Sequence, residues 1–131
     1  MSKRPAPTAG MRHVALFSNH YEKSEYFYVE LLGMKVEWRP DEDNVYLCSG
    51  NDNLALHRVN EDTSGPQKLD HIGFILDKMD DVDDWYNFLV SHDVPMKTKP
   101  KTHRDGARSF YCHDPDDTLV QMIFHPPLSK G

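Results

Sequence analysis

MRHVALF (Met11–Phe17) and LDHIGFI (Leu69–Ile75) are the two stretches on which the reading of this chain turns. Each is a strand-like run with one histidine third from its start, His13 and His71. Each is followed by a helix-like segment and then by further strand-like runs. A pattern that restarts halfway along a chain is best read as one unit used twice. If the two halves pair pseudo-symmetrically, the two histidines meet in one cavity.

The length of 131 residues suits one compact domain and is enough for a real core. The chain carries 15 Lys plus Arg against 21 Asp plus Glu, a formal charge of −6. No Lys/Arg cluster forms a stripe, which argues against a nucleic-acid partner. Asp77–Asp84 and Asp114–Asp117 hold much of the acidity and read as a solvated helix face and a turn. No long apolar run is present, so no membrane span is expected. Met1–Gly10 has a basic start but no apolar centre; it reads as a flexible lead, not a secretory signal. The expected compartment is the cytoplasm. Cys48 and Cys112 fall at comparable places in the two halves. Two lone cysteines in such a chain read as reduced core residues, although spacing leaves a disulfide open.

Alternation and turn residues lay out the first half. Met11–Ser18 is a strand, and Tyr21–Leu32 a helix with Tyr21, Ser24, Tyr28, Leu31 and Leu32 on one face. Asn19 is the expected N-cap, and Gly33 stands where a left-handed residue closes a helix. Strands follow at Met34–Arg39, Val45–Ser49 and Leu54–Val59. Asn60–Lys68 is a short polar joint, too short to separate two domains. The second half gives a strand at Leu69–Leu76 and a helix at Asp80–His92 with Val82, Trp85, Tyr86 and Leu89 inward. Strands are expected at Pro95–Thr102, Ala107–His113 and Leu119–His125, and Pro100 marks the first of these as an edge or a bend. Residues 127–131 read as a tail. The order is βαβββ twice, with modules at 11–59 and 69–126 in one domain spanning 11–126.

Strand parity sorts the faces. Leu54 and Leu56 share one side of their strand, and Ala55 and His57 the other. Val120, Met122 and Phe124 share one side of the last strand, and Gln121 lies opposite them. An all-apolar side belongs against a helix, so His57 and Gln121 would face the cavity. His13 sides with Ala15, and His71 with Gly73, small residues that leave room for a ligand.

This order and several of its pieces resemble the vicinal oxygen chelate superfamily, which contains glyoxalase I, extradiol dioxygenases, fosfomycin-resistance enzymes and bleomycin-resistance proteins. The matching pieces are His13, Ser24–Phe27–Tyr28 with Leu32–Gly33, Asp70–His71–Ile72–Gly73–Phe74, and Asp114–Pro115–Asp116 before Val120–Gln121–Met122. The resemblance implies an α+β fold of two βαβββ modules whose curved mixed sheets enclose a cavity, often completed by a second subunit. It also implies a divalent metal held by His13, His71 and the last-strand position, here Gln121. Gln departs from the usual Glu, offering a neutral carbonyl and neutralising no metal charge. Ala55 stands at or near the place where the glyoxalase form needs a carboxylate. His57, one pleat further on, reads as a fourth ligand, an acid/base or a bystander. Tyr46 and Tyr111 are equivalent strand residues, read as substrate-orienting or as packing. His20, His92, His103, His113 and His125 lie near turns or element ends and read as surface residues.

Two neutral imidazoles suit Fe(II), Mn, Ni or Zn. The expected activity is a metal-dependent one on a small molecule that chelates through adjacent oxygens. A dioxygenase-like ligand pattern fits these residues better than the glyoxalase pattern. With Fe(II) a catechol-like ring cleavage is expected; with Ni, Zn or Mn, isomerisation or addition to a small electrophile. The alternatives are a metal-free sequestering protein of the bleomycin-resistance type, which Gln121 and Ala55 favour, and a glyoxalase-like lyase or isomerase. A homodimer is the family default, and the partner is a small molecule, with neither nucleic acid nor membrane.

Overall fold

A computed structural model describes residues 11–59, 69–126 and 128–129. The lead, the joint at 60–68 and most of the tail lie outside the described residues. The elements are β1 (His13–Ser18), α1 (Tyr21–Tyr26, running on as a π-helical turn through Phe27–Leu31), β2 (Lys35–Asp41), β3 (Asn44–Cys48) and β4 (Asn53–Arg58). The second set is β5 (Ile72–Leu76), α2 (Met79–Ser91), β6 (Lys101–Thr102), β7 (Arg108–His113) and β8 (Leu119–Phe124). The α+β class and the doubled βαβββ order are therefore as the sequence implied. Each module forms one four-stranded mixed sheet, ordered β1-β4-β3-β2 and β5-β8-β7-β6. The opening strand of each module pairs in parallel with its last strand, and the other pairs are antiparallel.

The register makes the repeat residue-specific. Ala55 lies opposite Ala15 on one side and Tyr46 on the other. Gln121 lies opposite Gly73 and Tyr111 in the same way. Hence Tyr46 and Tyr111 are indeed equivalent. By the same count His57 corresponds to Ile123, and Asn44 to Ser109.

Parity sets the core as expected. Leu16, Val45, Leu47, Leu54 and Leu56 of the first sheet share one continuous core with Phe110, Cys112, Val120 and Met122 of the second. Each fully buried Leu or Val side chain contributes about 1.5–3 kcal/mol. The helices belong to the same core through Tyr21, Phe27, Tyr28 and Leu31, and through Val82 and Leu89. Because both apolar faces look inward, both histidine faces look outward.

Several boundaries differ from the sequence expectation, each for a physical reason. His13 begins β1, and His71 stands just before β5 instead of inside it. The helix expected over Tyr21–Leu32 widens at Phe27, where Leu32 N–H donates to Phe27 O at 3.0 Å. The wider turn lets the adjacent rings of Phe27 and Tyr28 both enter the core, edge to face at 4.9 Å. Gly33 adopts φ +84° at the helix exit, as expected. Asn19 is not the N-cap. Asp116, from the other module, accepts the N–H groups of Asn19 and His20 at 2.8 Å each and the Ser24 hydroxyl at 2.5 Å. The Ser18 hydroxyl also donates to it. The strand expected over Pro95–Thr102 contracts to two residues and a single bridge between Met96 and Cys112. Pro95 and Pro100 lack the N–H a ladder needs.

The cysteines are both free but not equivalent. Cys112 is fully buried opposite Val120, and burial pushes its thiol up to about 12. Cys48 pairs with Lys35 and is half-buried, so only one of the two is a core residue. His113 and His125 are half-buried instead of lying on the surface.

Candidate functional site

The open face of the first sheet begins with His13. Its Nδ1 lies 2.6 Å from Asn53 Oδ1, the residue opposite it on β4. Asn53 Nδ2 donates in turn to Glu37 Oε1 at 3.0 Å. Glu37 reaches this face through a bulge: Val36 opposes Leu47 and Trp38 opposes Tyr46, leaving Glu37 as the extra residue. A bulge re-aims a side chain without breaking the sheet.

His57 lies four residues along β4 from Asn53, roughly 13 Å of strand. Its Nδ1 is 2.6 Å from Asn44 Oδ1, and Asn44 Nδ2 donates to Asp41 Oδ1 at 2.8 Å. The Asp43 backbone N–H and the Asn44 amide hold the Asp41 carboxyl below its usual range. Aromatic rings surround this imidazole. Tyr46 stands edge-on to it at 6.3 Å and Phe17 is tilted at 6.5 Å. Trp38 stacks on Tyr46 at 5.4 Å and 17°. Phe17 and Trp38 are 65% and 60% exposed, unusual for rings of that size outside a binding surface.

The second sheet gathers His71, Tyr111 and Gln121. His71 Nδ1 lies 2.6 Å from Asp70 Oδ2, and its ring meets Tyr111 edge-on at 5.2 Å. Gln121 is the register partner of both Tyr111 and Gly73. A Cβ added at Gly73 would stand 3.7 Å from Gln121 Oε1, so the glycine leaves that amide uncovered.

His13 thus sits on one sheet and His71 with Gln121 on the other, so within one chain the two histidines do not meet in a cavity as the paired halves led one to expect; the apolar faces pack inward and turn the histidine faces out. His13, Phe17, His71 and Ile75 are all exposed, so neither face is closed over within one chain. Two cavities lie between the modules. One of about 650 Å³ is lined by Tyr26, Phe27, Val94 and His113, and one of about 620 Å³ by Arg12, Asp52, Phe74 and Trp85. Neither is walled by His13 or His71. Among the described residues, no group of three or more His, Cys, Asp or Glu side chains is gathered to hold a metal. The donor chemistry of His13, His71 and Gln121 nonetheless fits a divalent ion. In both histidines Nδ1 lies 2.6 Å from an oxygen, Asn53 Oδ1 or Asp70 Oδ2, and such an outer partner is what orients a ligating imidazole.

Asn44, Asn53, Glu37 and Asp41 escaped the sequence reading. Asn and Asp near strand ends look like turn residues, and the bulge that turns Glu37 leaves no mark in the alternation. Trp38 was legible only as a strand residue.

The geometry can be set beside known proteins. The sequence profile of the Glyoxalase/Bleomycin resistance protein/Dioxygenase superfamily matches residues 10–122. An uncharacterized protein of Bacillus subtilis (strain 168), YraH, is 28% identical over 120 residues, covering 83% of this chain and 93% of that protein. Lactoylglutathione lyase from Agrobacterium tumefaciens superposes with a TM-score of 0.74 at 18% identity, covering 93% of this chain and 98% of that one. The fosfomycin resistance protein FosX from Listeria monocytogenes gives 0.75 at 17% identity, covering 90% and 94%. Two such structures at so low an identity share the fold, and the profile spans nearly every element described above. The chain belongs to the Glyoxalase/Bleomycin resistance protein/Dioxygenase superfamily.

Proposed function

We propose that this protein is a metal-dependent enzyme acting on a small molecule that binds through two adjacent oxygens. His13, His71 and Gln121 would hold a divalent ion. The observation that carries the reading is how the imidazoles are held: in His13 and His71 alike, Nδ1 lies 2.6 Å from an oxygen, and among the described residues no hydrogen bond reaches Nε2. A bound ion would supply Lewis acidity toward the chelating oxygens. The chain's own residues do the rest. His57, with Nδ1 engaged by Asn44, offers Nε2 for moving a proton. Its distance along β4 favours that role over a fourth ligand. Tyr46 and Tyr111 orient the substrate from equivalent places. The ligand pattern of two histidines and a neutral oxygen donor favours dioxygenase-like chemistry, and Ala55 argues against a glyoxalase-like lyase.

Because each histidine face is open in one chain, the reading includes a homodimer in which the first-module face of one copy meets the second-module face of the other. The test is metal content of the purified protein, then titration with Fe(II), Mn(II), Ni(II) and Zn(II), with sedimentation for the oligomeric state. Stoichiometric metal in the wild type, lost in both His13→Ala and His71→Ala, is the expected result. A wild type that binds none of the four ions overturns it.

A second reading is favoured by the exposed rings of Phe17 and Trp38 beside Tyr46. They suit a metal-free module that sequesters a planar ligand by stacking. Binding measured by tryptophan fluorescence, abolished by Trp38→Ala in metal-free protein, would select it.

A further inference from the structure

On the open face of the first sheet, two imidazoles are held by the same three-part arrangement. Asn53 donates its Nδ2 to Glu37, so its Oδ1 is the atom turned toward His13. Asn44 donates its Nδ2 to Asp41, so its Oδ1 is the atom turned toward His57. An ionised carboxylate only accepts, and an amide oxygen only accepts. The carboxylate therefore settles which way the amide points, and the amide settles which ring nitrogen carries the proton. In both rings that nitrogen is Nδ1. A histidine free in water favours the opposite form, with the proton on Nε2, so the two chains of hydrogen bonds act against an intrinsic preference.

Both carboxylates come from β2, four residues apart, and both amides stand near the starts of their strands, Asn44 on β3 and Asn53 on β4. Among the described residues the second module has no counterpart. Asn44 corresponds to Ser109 and His57 to Ile123, while His71 takes its carboxylate directly from Asp70. Among the described residues the device belongs to the first copy of the unit.

We propose that β2 is a positioning strand, whose Glu37 and Asp41 act through Asn53 and Asn44 to lock His13 and His57 as Nδ1–H tautomers with both Nε2 lone pairs presented on the open face. Glu37, Asp41, Asn44 and Asn53 are positioning residues and touch no substrate. The use made of the two lone pairs rests on the function proposed above; the tautomers themselves do not.

The experiment is long-range ¹H–¹⁵N correlation of the ring nitrogens in the full metal-free chain, at about pH 8, above the imidazole range. The expected result is a pyrrole-type Nδ1 and a pyridine-type Nε2 for both rings. Asp41→Ala should shift His57 toward the Nε2–H form and leave His13 unchanged, and Glu37→Ala should do the reverse. Asn44→Leu and Asn53→Leu should give the same two shifts, and the backbone amide spectrum reports whether each variant folds. Should the Leu variants unfold, the Ala variants, on the exposed strand β2, carry the test. A wild-type ring protonated on Nε2, or a tautomer indifferent to loss of its carboxylate, overturns the inference. Metal binding retained without the tautomers overturns this inference alone. Tautomers present in a chain that binds no metal overturn only the functional reading.

Discussion

Ala55 and Gln121 occupy the same place in the two modules, each between a tyrosine of the preceding strand and a small residue of the opening strand. Around Ala55 the first sheet sets two imidazoles on amide–carboxylate supports and a wall of aromatic rings. Around Gln121 the second sheet sets one imidazole on a direct carboxylate and one amide donor. One scaffold, used twice, thus carries two kinds of chemistry. The repeat fixes positions through strand register, and single substitutions at those positions decide what each face offers.

The turns that precede the last strands differ as sharply. In the first module the Ser49–Asp52 turn holds itself, with Asp52 accepting the Ser49 N–H at 2.5 Å. In the second, Asp114 accepts the buried Tyr28 hydroxyl at 2.7 Å, and Asp116 takes four donors from the end of β1 and the start of α1. The second turn clamps the first module, and among the described residues no hydrogen bond from the Ser49–Asp52 turn reaches the second module. Burial pushes the Asp114 carboxyl up, against the lowering effect of its hydrogen bonds, and burial pushes the Tyr28 hydroxyl up as well.

The largest effect that sharpens this comparison is on metal. His71→Ala should reduce affinity by more than the roughly 10–100-fold that losing a supporting partner costs. Gln121→Glu should raise it about tenfold by adding a charge at a proposed ligand, and Ala55→Glu, which adds a carboxylate at the equivalent place where no proposed ligand stands, should give a smaller gain; titration calorimetry reads all three. Equal gains from Glu at 55 and at 121 would break the asymmetry.

Next comes the clamp. Asp116→Ala strands the buried Ser18 and Ser24 hydroxyls and should cost about 3 kcal/mol, lowering Tm by roughly 10 °C. Asp52→Ala should stay within about 0.5 kcal/mol. Thermal unfolding of both variants checks the pair, and equal losses would show that the two turns are not different in kind.

The smallest effect is on pH dependence. Asp83 is held below its usual range by hydrogen bonds from Arg108, at 2.7 and 2.9 Å. A folded-state pKa below the unfolded one gives stability that is present above about pH 4 and lost as pH falls through the lower folded value. Its share is under about 1 kcal/mol, since the Asp83 side chain is 47% exposed. Asp114 acts with opposite sign: its raised pKa means the folded chain binds the extra proton, so stability falls as pH rises through that window. Asp83→Asn should flatten the acid limb of a Tm-against-pH curve, and Asp114→Asn should remove the opposing slope.

The alternation of Leu54–His57 and of Val120–Phe124 was enough to place the core side and the histidine side of β4 and β8. The paired histidines of two similar opening strands were enough to reveal the repeat, and Gly33 to mark a helix end. Those are local signals, carried by period and by backbone sterics. The cap on α1 was misread because its acceptor, Asp116, lies 97 residues from Asn19. The wide turn at Phe27 was missed because it serves packing, and the role of Glu37 because one extra residue in β2 turns it.

By itself, the sequence determined the doubled βαβββ unit, the core-facing residues and the matched histidines His13 and His71, through spacing and strand parity, while the α+β fold and Gln121 as a third donor came from the family resemblance and His57 from parity beside it. Only the tertiary structure decided which faces stay open, which amide holds which imidazole, and which turn clamps the other module. Those depend on register between strands and on contacts between modules, and no local pattern in a single chain encodes either.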